Sequence, residues 1–143
     1  MRSITLFLVL FLSACAVKMN NGPLYSSYYR YEQSVSVDNL HKLQSDFFSS
    51  NLIKDLNVNE SEITEQLLFK KYMFKQESHF EKINEKVGCL SINGFDNENM
   101  PISFNIKYIA ENEHWLIEGI GVLFVNSIAD FTDSAKCPSE YQN

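Results

Sequence analysis

The first candidate for chemistry in this sequence is the thiol of Cys15. It ends an N-terminal stretch in which one basic residue, Arg2, is followed by an apolar run from Ile4 to Leu12. A run of this length is typical of the hydrophobic region of an export signal. It falls well short of the roughly 20 residues that a helix needs to cross a bilayer. We therefore predict that residues 1–14 are a signal peptide.

The four residues at the end of this stretch, Leu12-Ser13-Ala14-Cys15, resemble the lipobox of bacterial lipoproteins. In that family the chain is cut before the cysteine, here between Ala14 and Cys15, and the thiol carries a diacylglyceryl group. The resemblance implies a membrane anchor of acyl chains such as palmitate, because two or three chains on one residue hold a protein stably. The alternatives are an ordinary secretory signal with an unrelated cysteine, or a short buried helix.

The residue after the cysteine carries sorting information in the same family. Ala16 stands there in place of Asp, which implies the outer membrane of a Gram-negative cell. We therefore expect a cell-envelope protein that is lipid-anchored and faces the periplasm.

Two further cysteines, Cys89 and Cys137, remain once Cys15 is committed to lipid. An even remainder in an exported protein predicts a disulfide. It would close a loop of about 48 residues, worth roughly 4 kcal/mol in the chain-entropy model. The alternative is two free thiols. The chain has neither Cys-x-x-Cys nor a paired histidine spacing, so we expect no metal site and no cofactor.

The charge balance of the chain is acidic. Its 143 residues include 12 Lys and Arg against 18 Asp and Glu, a net charge of −6, and loss of Arg2 with the signal peptide makes it −7. A phosphate-binding surface needs the opposite sign, so nucleic acid is not an expected partner. Hydrophobic residues make up 45% and charged residues 21%, as in an ordinary single globular domain.

Residues 15–35 are predicted to be the lipidated N-terminus and a flexible tether, and residues 36–143 a single domain. The tether is polar, contains Asn21-Gly22-Pro23 and lacks periodicity. Its tyrosines are unusual for a spacer. They either pack back onto the domain or face a partner, or they form an aromatic cluster near the lipid headgroups. These are Tyr25, Tyr28, Tyr29 and Tyr31.

Helical periodicity marks the first half of the domain. An apolar stripe predicts one helix from Ser36 or Asp38 to about Leu56. A capping-box pattern predicts a second helix from Asn59 to about Lys75. A third, short helix is predicted from His79 to Val87.

The spacing of the apolar residues then changes from a helical period to every second residue, which predicts strands over 88–93, 102–108 and 114–125. In the last strand, Trp115, Ile117 and Leu123 are predicted on one face, and Leu116, Ile120, Val122 and Phe124 on the other. Gly119 and Gly121 would permit a bend or bulge there. Helices followed by an antiparallel meander predict an α+β fold, with N-terminal helices packed on a curved sheet.

The closing hairpin carries the most specific pattern. The strand 101–108 is followed by the acidic turn Glu111-Asn112-Glu113 and by Trp115-Leu116-Ile117-Glu118-Gly119-Ile120. This succession resembles the nuclear transport factor two-like, or cystatin-like, cone superfamily, and Phe47 to Leu52 is similar to the end of its first helix. The resemblance covers about Asp38 to Val125. It implies a sheet wrapped around a helix with a conical pocket, for which Tyr108, Trp115 and Glu118 are the candidate residues.

Catalytic members of that superfamily place an Asp–His pair, or a Tyr and an Asp, inside the cone. The three histidines, His41, His79 and His114, fall on a polar helix face, in a charged stretch and at a hairpin tip, so we expect them at the surface. Glu118 is a buried acid if its face lines the cone, and it reaches solvent if the strand bulges at Gly119.

A single carboxylate without a partner is a weak general acid or base, and the sequence has no Gly-x-Ser-x-Gly, P-loop or His-Glu-x-x-His motif. We therefore expect a non-catalytic binding or accessory module for an envelope protein or a small ligand. The alternatives are an immunity or inhibitor lipoprotein that blocks a periplasmic toxin or hydrolase, and a cone-fold enzyme that uses Glu118.

Overall fold

The second half of the chain forms one antiparallel sheet in the computed structural model, which describes residues 22–54, 56 and 60–141. The strands are β1 (Lys75–Asn84), β2 (Val87–Phe95), β3 (Pro101–Glu111) and β4 (His114–Phe124), in the spatial order β1-β2-β3-β4. The helices α1 (Pro23–Ser34), α2 (Leu40–Phe47), α3 (Ser50–Ile53) and α4 (Ser61–Leu67) precede it. The predicted α+β class is confirmed. The predicted signal peptide, the lipobox-like residues and Cys15 lie outside the described residues.

The core lies between the helices and one face of the sheet, which we call the helix face. Alternate residues of β2 and β3 point there because successive side chains of a strand alternate between faces. Those with no exposed surface are Leu90, Ile92, Ile102, Phe104 and Ile106. The same two strands present serine and asparagine to the opposite face.

The first helix begins well inside the segment that the sequence marked as a tether. Leu24, Tyr28 and Tyr31 of α1 have no exposed surface, so the predicted flexible tether is wrong for Pro23–Ser34. Three of the four tyrosines therefore pack onto the domain, since Tyr25 is partly buried against it and only Tyr29 is exposed. The helix was missed because its apolar residues are mostly tyrosines, whose burial depends on the sheet beneath them.

Both ends of α1 are held by side chains from elsewhere in the chain. The Glu81 carboxylate of β1 accepts the backbone N–H of Tyr25 at 2.9 Å and satisfies one of the free donors of the first turn. A Cβ at Gly22 would collide with that carboxylate, so glycine permits the close approach. At the other end the Lys70 ammonium contacts the carbonyl oxygens of Glu32 and Val35, where the helix dipole favours a cation.

The single helix predicted from about residue 38 to 56 is instead two helices. Phe48 is buried and forms a parallel bridge with Ile117, and Ser49 donates its backbone N–H to the Ile117 carbonyl at 2.8 Å. This pairing with β4 breaks the helix. Ser49 then caps α3, because its hydroxyl accepts the Leu52 N–H at 3.1 Å. The second predicted helix is also shorter, with α4 followed by a 3₁₀ turn over Phe69–Tyr72.

The helix predicted from His79 to Val87 is wrong, since these residues belong to β1, a two-residue turn and the start of β2. The turn is Glu85–Lys86, and Glu85 has a φ of 55°. The local pattern of Phe80, Ile83 and Val87 fits a helix, but pairing with β2 along the whole strand outweighs this weak preference.

The C-terminal strap (residues 125–141) crosses the face of the sheet opposite the helices. Cys137 lies at disulfide-bonding distance from Cys89 of β2, with 5.1 Å between their Cα atoms, as the sequence predicted. The Asn93 amide donates to the Thr132 carbonyl at 2.9 Å, and the Lys136 N–H donates to the Ser91 hydroxyl at 2.8 Å. Ser91 and Asn93 are therefore buried as partners of the strap, and they in turn bond to Asn105 and Ser103 of β3.

Candidate functional site

An apolar concavity lies on the helix face beside β4. This apolar groove has a volume of about 520 Å³. Its β4 wall is Ile120, Val122 and Phe124, and its other wall comes from the helices and the 3₁₀ turn: Leu52, Leu56, Gln66, Leu67, Phe69 and Tyr72. Phe124 is 64% exposed, so the groove opens to solvent at that point.

The groove runs along an edge of the sheet. In the order β1-β2-β3-β4, strand β4 has a neighbour on one side only. On its other side, the Phe48–Ile117 bridge covers one residue pair. Between Gly119 and Phe124 the strand carries no charged residue and no proline, the devices that usually protect such an edge.

Further exposed apolar side chains lie at the same end of the sheet. We call this the loop end: Lys75, Phe95 and Pro101 are register partners there, and Ile102 pairs with Phe124. Phe74, next to Lys75, is 83% exposed. The other exposed apolar residues near it are Tyr72, Met100 and Ile128. Clustered exposed apolar surface is typical of interaction sites.

The opposite end of the sheet, the turn end, is where α1 begins. It carries the turn Glu85–Lys86 and the turn Asn112–Glu113. Pro23 shares a shallow surface pocket with Glu113 and Trp115, and the space above Gly88 is filled by Leu24. The N-terminal segment therefore enters the domain at the end opposite the loop end.

A polar concavity lies between α1, α2 and the β3–β4 turn, with a volume of about 460 Å³. Arg30, His114, Asp46 and Glu111 are its charged or titratable residues. The Arg30 guanidinium lies over the Phe47 ring, 5.8 Å from its centroid. Cationic and acidic side chains are mixed around the rim, so its charge selects no particular ligand.

The three candidate pocket residues are not brought together. Tyr108 is fully buried in the core, and burial raises the pKa of its hydroxyl well above the usual value, so it cannot act as a base at neutral pH. Trp115 is half-buried near the turn end, in the pocket with Pro23. Glu118 lies farther along β4 and lines neither the apolar groove nor the polar concavity.

Glu118 occupies a β-bulge. Lys107 pairs with Gly119 and the next residue of β3, Tyr108, pairs with Ile117, so Glu118 has no partner in the register. Its carboxylate is half-buried and accepts a hydrogen bond from the Asn51 amide at 3.0 Å. From the sequence, Glu118 was expected to be either a buried acid or a residue at a bulge, and the structure shows the bulge.

The bulge also corrects the predicted faces of β4. Ile117 pairs with Tyr108 and Ile120 with Ile106, so both face the helices although they are an odd number of positions apart. Ile120, Val122 and Phe124 are brought into the apolar groove by this shift. Their sequence pattern predicted no functional role for them. The available signal was the uncharged, glycine-containing second half of the last strand (Gly119–Phe124), in contrast to the charged residues of β1.

The histidines are separate from one another. His41 and His114 are exposed, and His79 is half-buried against the Tyr25 ring. Within the described residues, no group of three or more His, Cys, Asp or Glu side chains is placed to hold a metal ion. None of the helices in that part of the chain is long and apolar enough to cross a membrane.

Comparison of the chain with protein-family models, with curated proteins and with solved structures found no match.

Proposed function

We propose that this protein is a lipid-anchored lipoprotein of the cell envelope, and that its domain is a non-catalytic module that binds a protein partner. The lipobox resemblance of Leu12-Ser13-Ala14-Cys15 supports the anchor. The observation that carries the binding role is the position of the apolar surface: the groove and Phe74 lie toward the loop end, away from the entry of α1 at Pro23.

The length of the N-terminal segment supports a protein partner over a lipid surface. From a lipidated Cys15, residues 16–22 reach at most about 25 Å when fully extended. The strands are longer, since the eleven residues of β4 extend about 35 Å at the usual rise per residue. The loop end would therefore lie about one strand length from the point of attachment, within reach of other proteins of the envelope.

A catalytic role finds little support among the candidate residues. The Glu118 carboxylate accepts a hydrogen bond from the Asn51 amide, and neither a carboxylate nor a histidine takes part in that bond. Tyr108 is buried in the core. General acid–base catalysis needs a positioned group in contact with a substrate. The cone-fold enzyme is therefore not proposed.

The anchor is tested by metabolic labelling with a palmitate analogue and by membrane fractionation. We expect the wild-type protein to be labelled and to sediment with the outer membrane. Cys15→Ala should give an unlabelled precursor of higher mass, whereas Cys89→Ala should still be labelled because that thiol lies in the sheet. A Cys15→Ala protein that retained the label would overturn the proposed anchor.

The binding role is tested by site-specific photo-crosslinking in intact cells. A crosslinking residue at position 74 samples the loop end, and one at the exposed Asn84 samples the turn end. We expect one discrete protein adduct from position 74, lost when Phe124→Ser is added, and no such adduct from position 84. Adducts to lipid from position 74, or equal protein adducts from both positions, would contradict the proposal.

A further inference from the structure

The outer side of β4 carries backbone groups that no strand of the sheet uses. The Val125 N–H donates to the Pro101 carbonyl at 3.1 Å, which places this pair among those that exchange hydrogen bonds. Because such pairs alternate along an antiparallel ladder, the pairs of Leu123 with Ser103 and of Gly121 with Asn105 are also hydrogen-bonded. The N–H and C=O groups of Ile120, Val122 and Phe124 therefore point outward, away from β3.

The same three residues line the apolar groove. Ile120 and Val122 face the helices together with their register partners Ile106 and Phe104. One short segment thus presents a row of free peptide groups along the edge and a row of apolar side chains beside it. A ligand that uses both must be an extended chain with apolar residues at alternate positions.

The edge already accepts one strand-like contact from its own chain. Phe48 pairs with Ile117 in parallel, and the Ser49 N–H bonds to the Ile117 carbonyl. The chain then turns into α3, and among the described residues none pairs with this edge from Gly119 onward. A further strand would continue the pairing where this contact ends.

The two edges of the sheet differ in their chemistry. β1 contains Lys75, Glu77, Glu81 and Lys82, and charged side chains are a common protection against unwanted pairing. The stretch Gly119–Phe124 has no charged residue. If both edges of the sheet were protected against pairing, both edge strands would carry charges. The lack of charge in this stretch therefore identifies β4 as the edge that is open to a partner strand.

We propose that β4 binds an extended, apolar segment of a partner protein as a fifth strand, with alternate side chains of that segment in the apolar groove. This assignment rests on the proposed binding function and names the form of its partner. A second copy is a poorer occupant, because it would bring its own α3 and α4 to the same face of the joined sheet. A lipid surface offers no peptide groups to pair with the outward N–H and C=O groups of β4, so it matches the edge less well than an extended chain.

The proposal is tested with the protein as purified, in lipid nanodiscs if it carries its anchor and in solution if it does not. A random library of twelve-residue peptides is selected on it. We expect enriched peptides with apolar residues at every second position. Their binding should shift the amide signals of Ile120, Val122 and Phe124 and slow their hydrogen exchange, with little change in β1.

Two matched sets of variants test the strand pairing itself. Val122→Pro removes an outward N–H and leaves the ladder with β3 intact, as edge strands permit; we expect at least a tenfold loss of peptide affinity with an unchanged circular dichroism spectrum. On the peptide, N-methylation of alternate residues should abolish binding in one phase and leave it nearly unchanged in the other. This second measurement does not depend on the folding of a protein variant.

Several outcomes would overturn the assignment. These are a selection without alternating peptides, binding that tolerates both phases of N-methylation, and a homodimer that Val122→Pro dissociates. The proposed anchor is tested separately by lipid labelling. If the protein were not labelled, the results for strand pairing at β4 would still be valid. Loss of the position-74 adduct with intact peptide pairing would contradict the cellular role alone.

Discussion

The rings of Tyr25 and His79 are stacked, with 3.7 Å between their centroids and 11° between their planes. This contact joins α1 to β1. Two hydrogen bonds join the same elements. The Tyr25 hydroxyl donates to the Gln76 amide oxygen at 2.6 Å, and the Tyr25 backbone N–H donates to the Glu81 carboxylate. Neither α1 nor β1 was predicted from the sequence, and the structure shows that these two elements are attached to each other.

The stack makes stability depend on pH. Burial lowers the pKa of His79, and the nearby Glu81 opposes this only in part. The folded state therefore holds the proton less tightly than the unfolded chain, so stability is complete above the ordinary histidine pKa of about 6.5 and is lost as the pH falls through the lower, folded pKa.

We expect the urea midpoint to fall between pH 7.5 and pH 5 by more in the wild type than in His79→Phe, which keeps the stack without titrating. The difference should be below about 1 kcal/mol, because the ring is partly exposed and solvent screens its charge. His41→Phe, at an exposed site, is the control. Equal pH dependence in wild type and His79→Phe would contradict this role.

The tyrosine hydroxyls of α1 predict opposite effects for two similar substitutions. The Tyr31 hydroxyl donates to the Leu67 carbonyl at 2.6 Å, whereas the buried Tyr28 hydroxyl has no hydrogen-bond partner among the described residues. Tyr31→Phe should destabilise the protein by about 1 kcal/mol, since it leaves a buried carbonyl unpaired. Tyr28→Phe should be neutral or slightly stabilising. Chemical denaturation of both variants checks this, and equal losses would contradict it.

The Cys89–Cys137 link should stabilise the C-terminal strap more than the rest of the domain. Replacing both cysteines by alanine should lower the free energy of unfolding by about 2–4 kcal/mol, as expected for a loop of this length. Hydrogen exchange should accelerate first in the strap and its partners Ser91 and Asn93, while β3 and β4 stay protected. Uniform acceleration across the sheet would show that the strap is not a separate unit.

The β3–β4 turn offers a stabilising substitution. Asn112 and Glu113 both have positive φ, 49° and 65°, as in a two-residue turn that favours Asn-Gly. Glu113→Gly should raise stability by up to about 1 kcal/mol, because glycine adopts this conformation without strain. Asn112→Gly is the matched control and should gain less, since asparagine tolerates it. A lower melting temperature for Glu113→Gly would contradict the prediction.

Much of the sheet was predictable because its signals are local. β3 alternates apolar and polar residues, and β4 is a long, mostly apolar run that follows a turn. The observed bounds of both strands lie within a few residues of the predicted ones. The cysteine pairing was predicted by counting the thiols left after Cys15 in a chain expected to be exported. In contrast, β1 and α1 have mixed surfaces whose burial depends on distant partners, so their local patterns indicated a helix and a tether.

The sequence by itself determined the α+β class, the last hairpin and the pairing of Cys89 with Cys137, and it carries the lipobox resemblance on which the proposed anchor depends. The tertiary structure alone decided where β4 bulges, and therefore which side chains enter the groove. A bulge at Glu118 moves every later residue of the strand to the other face. Because that shift is set by contacts with Phe48 and β3, far away in the sequence, alternation within β4 could not reveal it.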